Sequence, residues 1–214
     1  MDSPAAGPDR VAAIDFYGGA GMVGDPGDTP QVMSVLAVIR EMDRHVAKWL
    51  AASASPSVHR ALSAVEETAE GTKLWWGAAA AMAAAGGWRG RKTAVAGLAA
   101  VALAQVVANG LCKHLADRPR PPKQWFPHDE TEDRPDSSSF PSGHTAAAVA
   151  FTAAVAPAWP PVGALCAVPA AMVAIERVQS GAHYPSDVAA GAAIGLASAW
   201  LARHAPRLLL RKWV

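Results

Sequence analysis

Two histidines and a set of cations are spaced along the second half of this chain as chemistry on an anion requires. Asp187 follows His183 by four residues. If Pro185, Ser186 and Asp187 open a helix, that carboxylate lies in its first turn, within reach of the His183 ring. A carboxylate that accepts a hydrogen bond from one ring nitrogen fixes the tautomer and leaves the other nitrogen as a nucleophile. Pro141, Ser142, Gly143 and His144 form a second cluster where another helix should begin. Proline and serine favour helix starts, and a helix N-terminus offers free N–H groups and a positive dipole end to an anion. His144 would stand over that anion. Lys113, Arg118, Arg120 and Arg177 fall at the ends of apolar stretches. Guanidinium forks match pairs of phosphate oxygens, and an ammonium adds a point charge. A nucleophilic histidine, an acidic one and a ring of cations are the groups that covalent phosphoryl transfer uses without a metal. No two of the seven histidines have the four-residue helical spacing of zinc enzymes, so no metal or other cofactor is expected.

These groups need rigid elements to hold them. Residues 72–87, 93–112, 144–159, 161–175 and 188–202 are apolar runs, with Pro160 and Pro161 marking a turn. The run 93–112 carries no charge, and as a helix it would reach about 30 Å, the thickness of a bilayer core. Its strongly polar members are Gln105 and Asn109. Trp88 to Lys92 reads as a short basic loop, and residues 114–140 as a long polar one. No alternating strand pattern is present, so the expected class is all-α. Ahead of these runs, residues 31–51 repeat Val32, Val35, Leu36, Ile39, Met42, Val46, Trp49 and Leu50 at helical steps, with Arg40, Glu41, Asp43, Arg44 and Lys48 on other faces. A shorter helix follows over 58–69. This amphipathic pair either packs on the domain or lies at a membrane interface.

Composition narrows the partners. A net charge of +1 leaves no basic field for nucleic acid, and no protein partner is indicated. Cys112 and Cys166 lie in apolar stretches without disulfide or zinc spacing. Residues 1–30, rich in proline and glycine, read as a flexible tail without a secretory signal. The rest divides into amphipathic helices over 31–70, an apolar helical core over 71–205 and a basic tail over 206–214. If all five apolar runs cross a membrane, Arg89, Arg91, Lys92, Arg203, Arg207, Arg211 and Lys212 share one side, while 114–140 and 176–187 share the other. Purely basic ends mark the cytoplasmic side. The expectation is a multi-pass protein of the cell membrane with its chemistry facing out of the cytoplasm; the alternative is a soluble bundle with an alanine-rich core.

The three clusters in this order resemble the signature of the type 2 phosphatidic acid phosphatase superfamily. That group holds lipid phosphatases, undecaprenyl diphosphate phosphatases, class A acid phosphatases and vanadium haloperoxidases. Lys113 with Arg120-Pro121 matches the first part, Pro141 to His144 the second, and Arg177, His183 and Asp187 the third. Glu176 departs from the serine usual before the third-part arginine. The resemblance spans about residues 58–205 and implies a helical bundle of the acid phosphatase/vanadium haloperoxidase type. By that resemblance Lys113, Arg120 and Arg177 bind phosphate oxygens, and Ser142 with the Gly143 amide completes the cradle. His183 attacks phosphorus, Asp187 orients it, and His144 protonates the leaving oxygen and then activates water. The implied activity is metal-independent hydrolysis of a lipid phosphate or polyprenyl diphosphate. Diphosphate-processing terpenoid chemistry, or a soluble acid phosphatase or haloperoxidase-like enzyme, are the alternatives on the same scaffold.

Overall fold

The computed structural model describes residues 14–15, 30–53, 55–126 and 137–210. The expected tail over 1–30 lies outside this set except for Ile14, Asp15 and Pro30. Ile14–Asp15 (β1) pairs in parallel with Ala116–Asp117 (β2), a two-residue departure from the all-α expectation. Everything else of regular structure is helical: α1 Pro30–Ser53, α2 Pro56–Ala69, α3 Lys73–Ala85, α4 Gly87–Gln105, α5 Lys113–Leu115, α6 Gly143–Val155, α7 Pro160–Gln179 and α8 Pro185–Leu210. Between α4 and α5 the helix continues as wider π-type turns over Val106–Cys112, making one rod from Gly87 to Leu115.

Trp88 to Lys92 is not a loop but the first turns of α4. The reversal is made one step earlier, at Gly86 and Gly87, where Gly87 takes φ +55°. The two helices then approach so closely that a Cβ on Gly90 would lie 2.0 Å from the Met82 carbonyl oxygen.

α6 is the central helix, packed by α4, α7 and α8. Its seam with α4 and α8 is built from Ala100, Ala104, Ala108, Ala146, Ala150, Ala154 and Ala199. Small side chains let backbones meet, which is how helices associate when burial of large apolar groups is not the driver. Gly191 and Gly195 carry this furthest: a Cβ on Gly191 would stand 2.4 Å from the Ser142 carbonyl oxygen. That approach brings the start of α8 against the start of α6, where the Ser142 amide donates to the Asp187 carbonyl at 3.0 Å. A larger cluster around Trp75, Met82, Phe151 and Val155 packs α3, α4, α6 and α7 together.

α1 is helical as expected, but its inward face is Asp43, Ala47 and Ala51, all buried. Val35, Met42 and Trp49 of the apolar stripe are exposed. The buried Arg118 accounts for the inversion, because it needs the Asp43 carboxylate (below). Two helical segments, Gly87–Leu115 and Pro160–Gln179, are long and apolar enough to cross a membrane among the described residues, and α6 is apolar but shorter.

Candidate active site

The C-terminal end of the α4–α5 rod, the start of α6, the end of α7 with the turn after it, and the link 69–72 between α2 and α3 surround a cleft of about 510 Å³. Lys113, Arg120, Gly143, His144, Arg177 and His183 all line it. Three segments far apart in sequence thus converge because each ends or begins a helix at the same end of the bundle.

His183 lies in the turn between α7 and α8. Gly181, at φ +68°, reverses the chain so that the His183 amide donates to the Arg177 carbonyl at 2.8 Å. The imidazole is buried, with Nδ1 2.5 Å from the Ser139 carbonyl oxygen. A carbonyl can only accept, so Nδ1 carries the proton and Nε2 keeps its lone pair. The tautomer expected from Asp187 is therefore set by a different residue. Asp187 Oδ2 is 3.9 Å from Nδ1, beyond hydrogen-bonding range. Burial first, then the charges of Arg120 and Arg177, hold the imidazole well below the ordinary histidine value, against the opposing pull of the Ser139 carbonyl.

Asp187 instead braces the turn. Its Oδ2 accepts the Tyr184 amide at 2.8 Å, and its Oδ1 meets Arg118 Nη1 at 2.5 Å. Arg118, buried, also reaches Asp43 Oδ2 through Nη2 at 2.6 Å and lies 4.3 Å over the Tyr184 ring. Ser186 completes the cluster: its amide donates to Asp43 Oδ1 at 2.8 Å and its hydroxyl to Asp43 Oδ2 at 2.6 Å. The sequence pattern sets Asp43 only among the charged residues on the other faces of α1. The signal available was its spacing with Ala47 and Ala51, a small-residue stripe carrying one acid.

Ser142 is buried and does not line the cleft; its hydroxyl caps α6, 3.5 Å from the Thr145 amide. The expected place of its side chain in the cradle is thus taken by a capping role. Gly143 does line the cleft, and a Cβ there would stand 2.5 Å from Asn109 Oδ1. Asn109 donates to Gln105, and Gln105 Nε2 reaches the Gly143 carbonyl at 3.4 Å. These two polar residues of the apolar run lie at or beside the π-type turns, a distortion that often marks functional sites. Arg120 is held by the Ala182 carbonyl at 2.7 Å, and burial, then Arg177, lowers its pKa.

Arg177 differs from the expected free phosphate fork. Its Nη2 lies 2.9 Å from Glu66 Oε1 and 2.5 Å from Glu176 Oε2, and its Nε donates to the same Glu176 oxygen at 2.5 Å. Glu66, on α2, is also 3.6 Å from His144 Nε2. Glu176, the departure from serine, therefore turns toward Arg177 and adds negative charge beside the cleft. At an effective dielectric of ~20, like unit charges repel by about 4 kcal/mol at ~4 Å and by less with distance, so this carboxylate opposes anion binding. Glu176→Ser is accordingly expected to tighten inhibition by orthovanadate at least about tenfold. Weaker inhibition would mean that the carboxylate serves mainly to aim the guanidinium.

The PAP2 superfamily model matches residues 93–210, more than half of the chain and all three clusters. The chain belongs to the PAP2 superfamily. Two lipid A 1-phosphatases, from Rhizobium etli and Rhizobium johnstonii, are each 47% identical to it over 57 residues. That match covers 27% of this chain and spans only about a quarter of each relative, 25% and 23%. Among solved structures, a transmembrane PAP2-type phosphatidylglycerolphosphate phosphatase from Bacillus subtilis superposes with a TM-score of 0.57 at 21% identity, covering 84% of this chain and 88% of that one. LpxE from Aquifex aeolicus gives 0.58 at 22% identity, covering 74% and 92%. At these identities the likeness is one of fold.

Proposed function

We propose that the chain is a metal-independent phosphatase of the cell membrane that removes phosphate from a lipid phosphate or polyprenyl diphosphate through a phosphohistidine at His183. The observation that carries this reading is the His183 ring, protonated on Nδ1 against Ser139, in a cleft shared with Lys113, Arg120, Arg177 and His144. His183 Nε2 attacks phosphorus and the bond to the leaving oxygen breaks, that oxygen taking a proton from His144. Water then attacks the phosphoenzyme, losing a proton to His144, and the N–P bond breaks to release inorganic phosphate. Lys113, Arg120 and Arg177 neutralise charge on the oxygens in both steps. Asp187 acts one layer out, as a brace on the 183–187 turn. Ser142 contributes by capping the helix whose N-terminus faces the anion.

The lipid part of the reading is supported by family membership, by the lipid phosphatase activities of the relatives and by the exterior of the bundle. Trp76, Val95, Leu165, Val168, Leu196 and Trp200 are each more than half exposed. An apolar exterior of this extent fits lipid better than water. We assign α3, the α4–α5 rod, α6, α7 and α8 as five crossing segments, and α1 as an interfacial helix whose exposed stripe meets lipid. The cleft end carries both signs of charge, whereas the opposite end holds Arg89, Arg91, Lys92 and Arg203 with no acid among the described residues of its helices, which supports a cleft facing out of the cytoplasm.

The test is phosphate release by the detergent-purified chain from phosphatidate, phosphatidylglycerol phosphate, lipid A 1-phosphate and undecaprenyl diphosphate, each with and without chelator. Release from at least one lipid, unchanged by chelator, is expected. Loss of release on chelation would overturn the metal-independent mechanism. The pH profile gives a separate check. A histidine held well below its ordinary value stays neutral, and thus nucleophilic, from alkaline pH down through that value; it is lost only as pH falls through its own depressed pKa. The acid limb of kcat/KM is therefore expected below the ordinary histidine value of 6.5. An acid limb at or above about 6.5 would contradict the buried, cation-flanked position.

A further inference from the structure

A second cavity, larger than the active-site cleft at about 880 Å³, opens at the other end of the bundle. It lies between the start of α4, the end of α6 and the end of α8. Sixteen residues of α8 separate Asp187 from Arg203, so the two sites are about 24 Å apart along that helix. The walls differ in character. Arg91, Lys92 and Arg203, all exposed, stand at the rim, and Val95, Ala96 and Ala99 form an apolar side. Arg89 is occupied otherwise: its guanidinium donates to the Ala158 carbonyl, Nε at 3.0 Å, and ties α4 to the turn after α6. Trp88, 74% exposed, stands beside the rim with Lys92 Nζ 5.7 Å from its ring centroid. No Asp or Glu occurs in residues 71–116, 143–175 or 188–214, so no acid from these helices balances the cations.

We propose that this groove binds an anionic phospholipid, its headgroup phosphate among Arg91, Lys92 and Arg203 and one acyl chain along Val95, Ala96 and Ala99. Charge complementarity selects the anion. The continuous apolar wall beneath the cations selects a lipid over a free ion, because a free anion would leave that wall in water. Trp88 occupies the depth at which tryptophan meets headgroups. Such a lipid, a phosphodiester, has no terminal phosphate for the cleft to remove, so this is a bound lipid and not a second substrate. The inference rests on the bilayer orientation proposed above but not on catalysis: an inactive chain that bound the lipid would refute the phosphatase reading alone.

The test uses the full chain in dodecyl maltoside micelles with phosphatidylglycerol or phosphatidylcholine carrying brominated acyl chains, which quench nearby tryptophan. The quenching difference between the wild type and Trp88→Phe reports the groove. Half-maximal quenching of Trp88 is expected at a phosphatidylglycerol concentration at least about tenfold below that for phosphatidylcholine, since each surface cation contributes about 1 kcal/mol toward anionic lipid. Arg91→Ser/Lys92→Ser/Arg203→Ser should abolish the preference while cooperative thermal unfolding is retained. Should that variant fail to fold, Ala96→Leu/Ala99→Leu, which fills an exposed or half-buried wall and keeps the charges, should weaken phosphatidylglycerol quenching by a similar factor. Equal quenching by the two lipids, a preference that survives the triple substitution, or unchanged quenching in the wall variant would overturn the proposal. So would displacement of the lipid by an equal concentration of inorganic phosphate, which would leave an anion site without a chain.

Discussion

His183→Ala is expected to lower phosphate release by roughly four to six orders of magnitude, the loss typical when a nucleophile is removed from an enzyme whose other groups remain. The reason lies in how few groups could replace it. Lys113, Arg120 and Arg177 would still collect a phosphate, so binding of vanadate or substrate should persist within about tenfold. What disappears is the single lone pair that the Ser139 carbonyl holds in the cleft. His144 is not expected to replace it, because it opens α6 with its Nε2 turned to Glu66 at 3.6 Å. Measured kcat and KM for the same lipid, with thermal unfolding as a control, separate the cases. A loss confined to KM, with kcat intact, would assign His183 to binding alone.

Arg118→Leu is expected to be the most destabilising single change in the site. The guanidinium is buried between Asp43 and Asp187, and its removal leaves two buried carboxylates without a cation. Removing one partner of such a cluster costs about 3–5 kcal/mol. For a chain of this size that corresponds to a fall in Tm on the order of 10 °C. Arg118→Leu/Asp43→Asn should recover a good part of the loss, because one of the stranded charges is gone. Thermal unfolding of the two variants in the same detergent decides the point. A shift under about 1 °C for Arg118→Leu would show that the cluster is hydrated in solution. The same variant should also expose α1 to protease, since Asp43 is its polar anchor to the Arg118 and Ser186 segment.

The site's convergent residues were legible in sequence because each stands at a helix boundary. Lys113 ends a charge-free run, Gly143 and His144 open another, and Arg177 and His183 flank a glycine turn. Helices packed side by side bring such boundaries to the ends of one bundle. The second layer was not legible, since it depends on contacts between distant segments. Ser139 supplies a backbone carbonyl from a proline-rich loop, and a carbonyl has no sequence signature. Glu66 reaches Arg177 from a helix that read only as amphipathic. Glu176 stands out in the sequence only as a departure from serine; its pairing with Arg177, which changes the charge beside the cleft, is visible only in the fold. Ser142 illustrates a different limit: one hydroxyl can cap a helix or line a cradle, and only the burial of α6 against α8 decides. The basic stretch 88–92 reads as a loop because arginine and lysine on the end of an apolar run imitate a boundary, whereas the turn needs only Gly86 and Gly87.

The phosphohistidine itself can be captured. The wild-type chain would be mixed with a lipid substrate carrying labelled terminal phosphate, quenched in alkali within the first turnover, digested and sequenced by mass spectrometry. A phosphoramidate is stable to alkali and lost in acid, which separates it from phosphoserine and carboxyl phosphate. Label on the peptide containing His183, acid-labile and absent in His183→Ala, is the predicted result. Active enzyme with no trapped phosphate under any quench, or label that stays in place when His183 is replaced, would contradict covalent catalysis at His183.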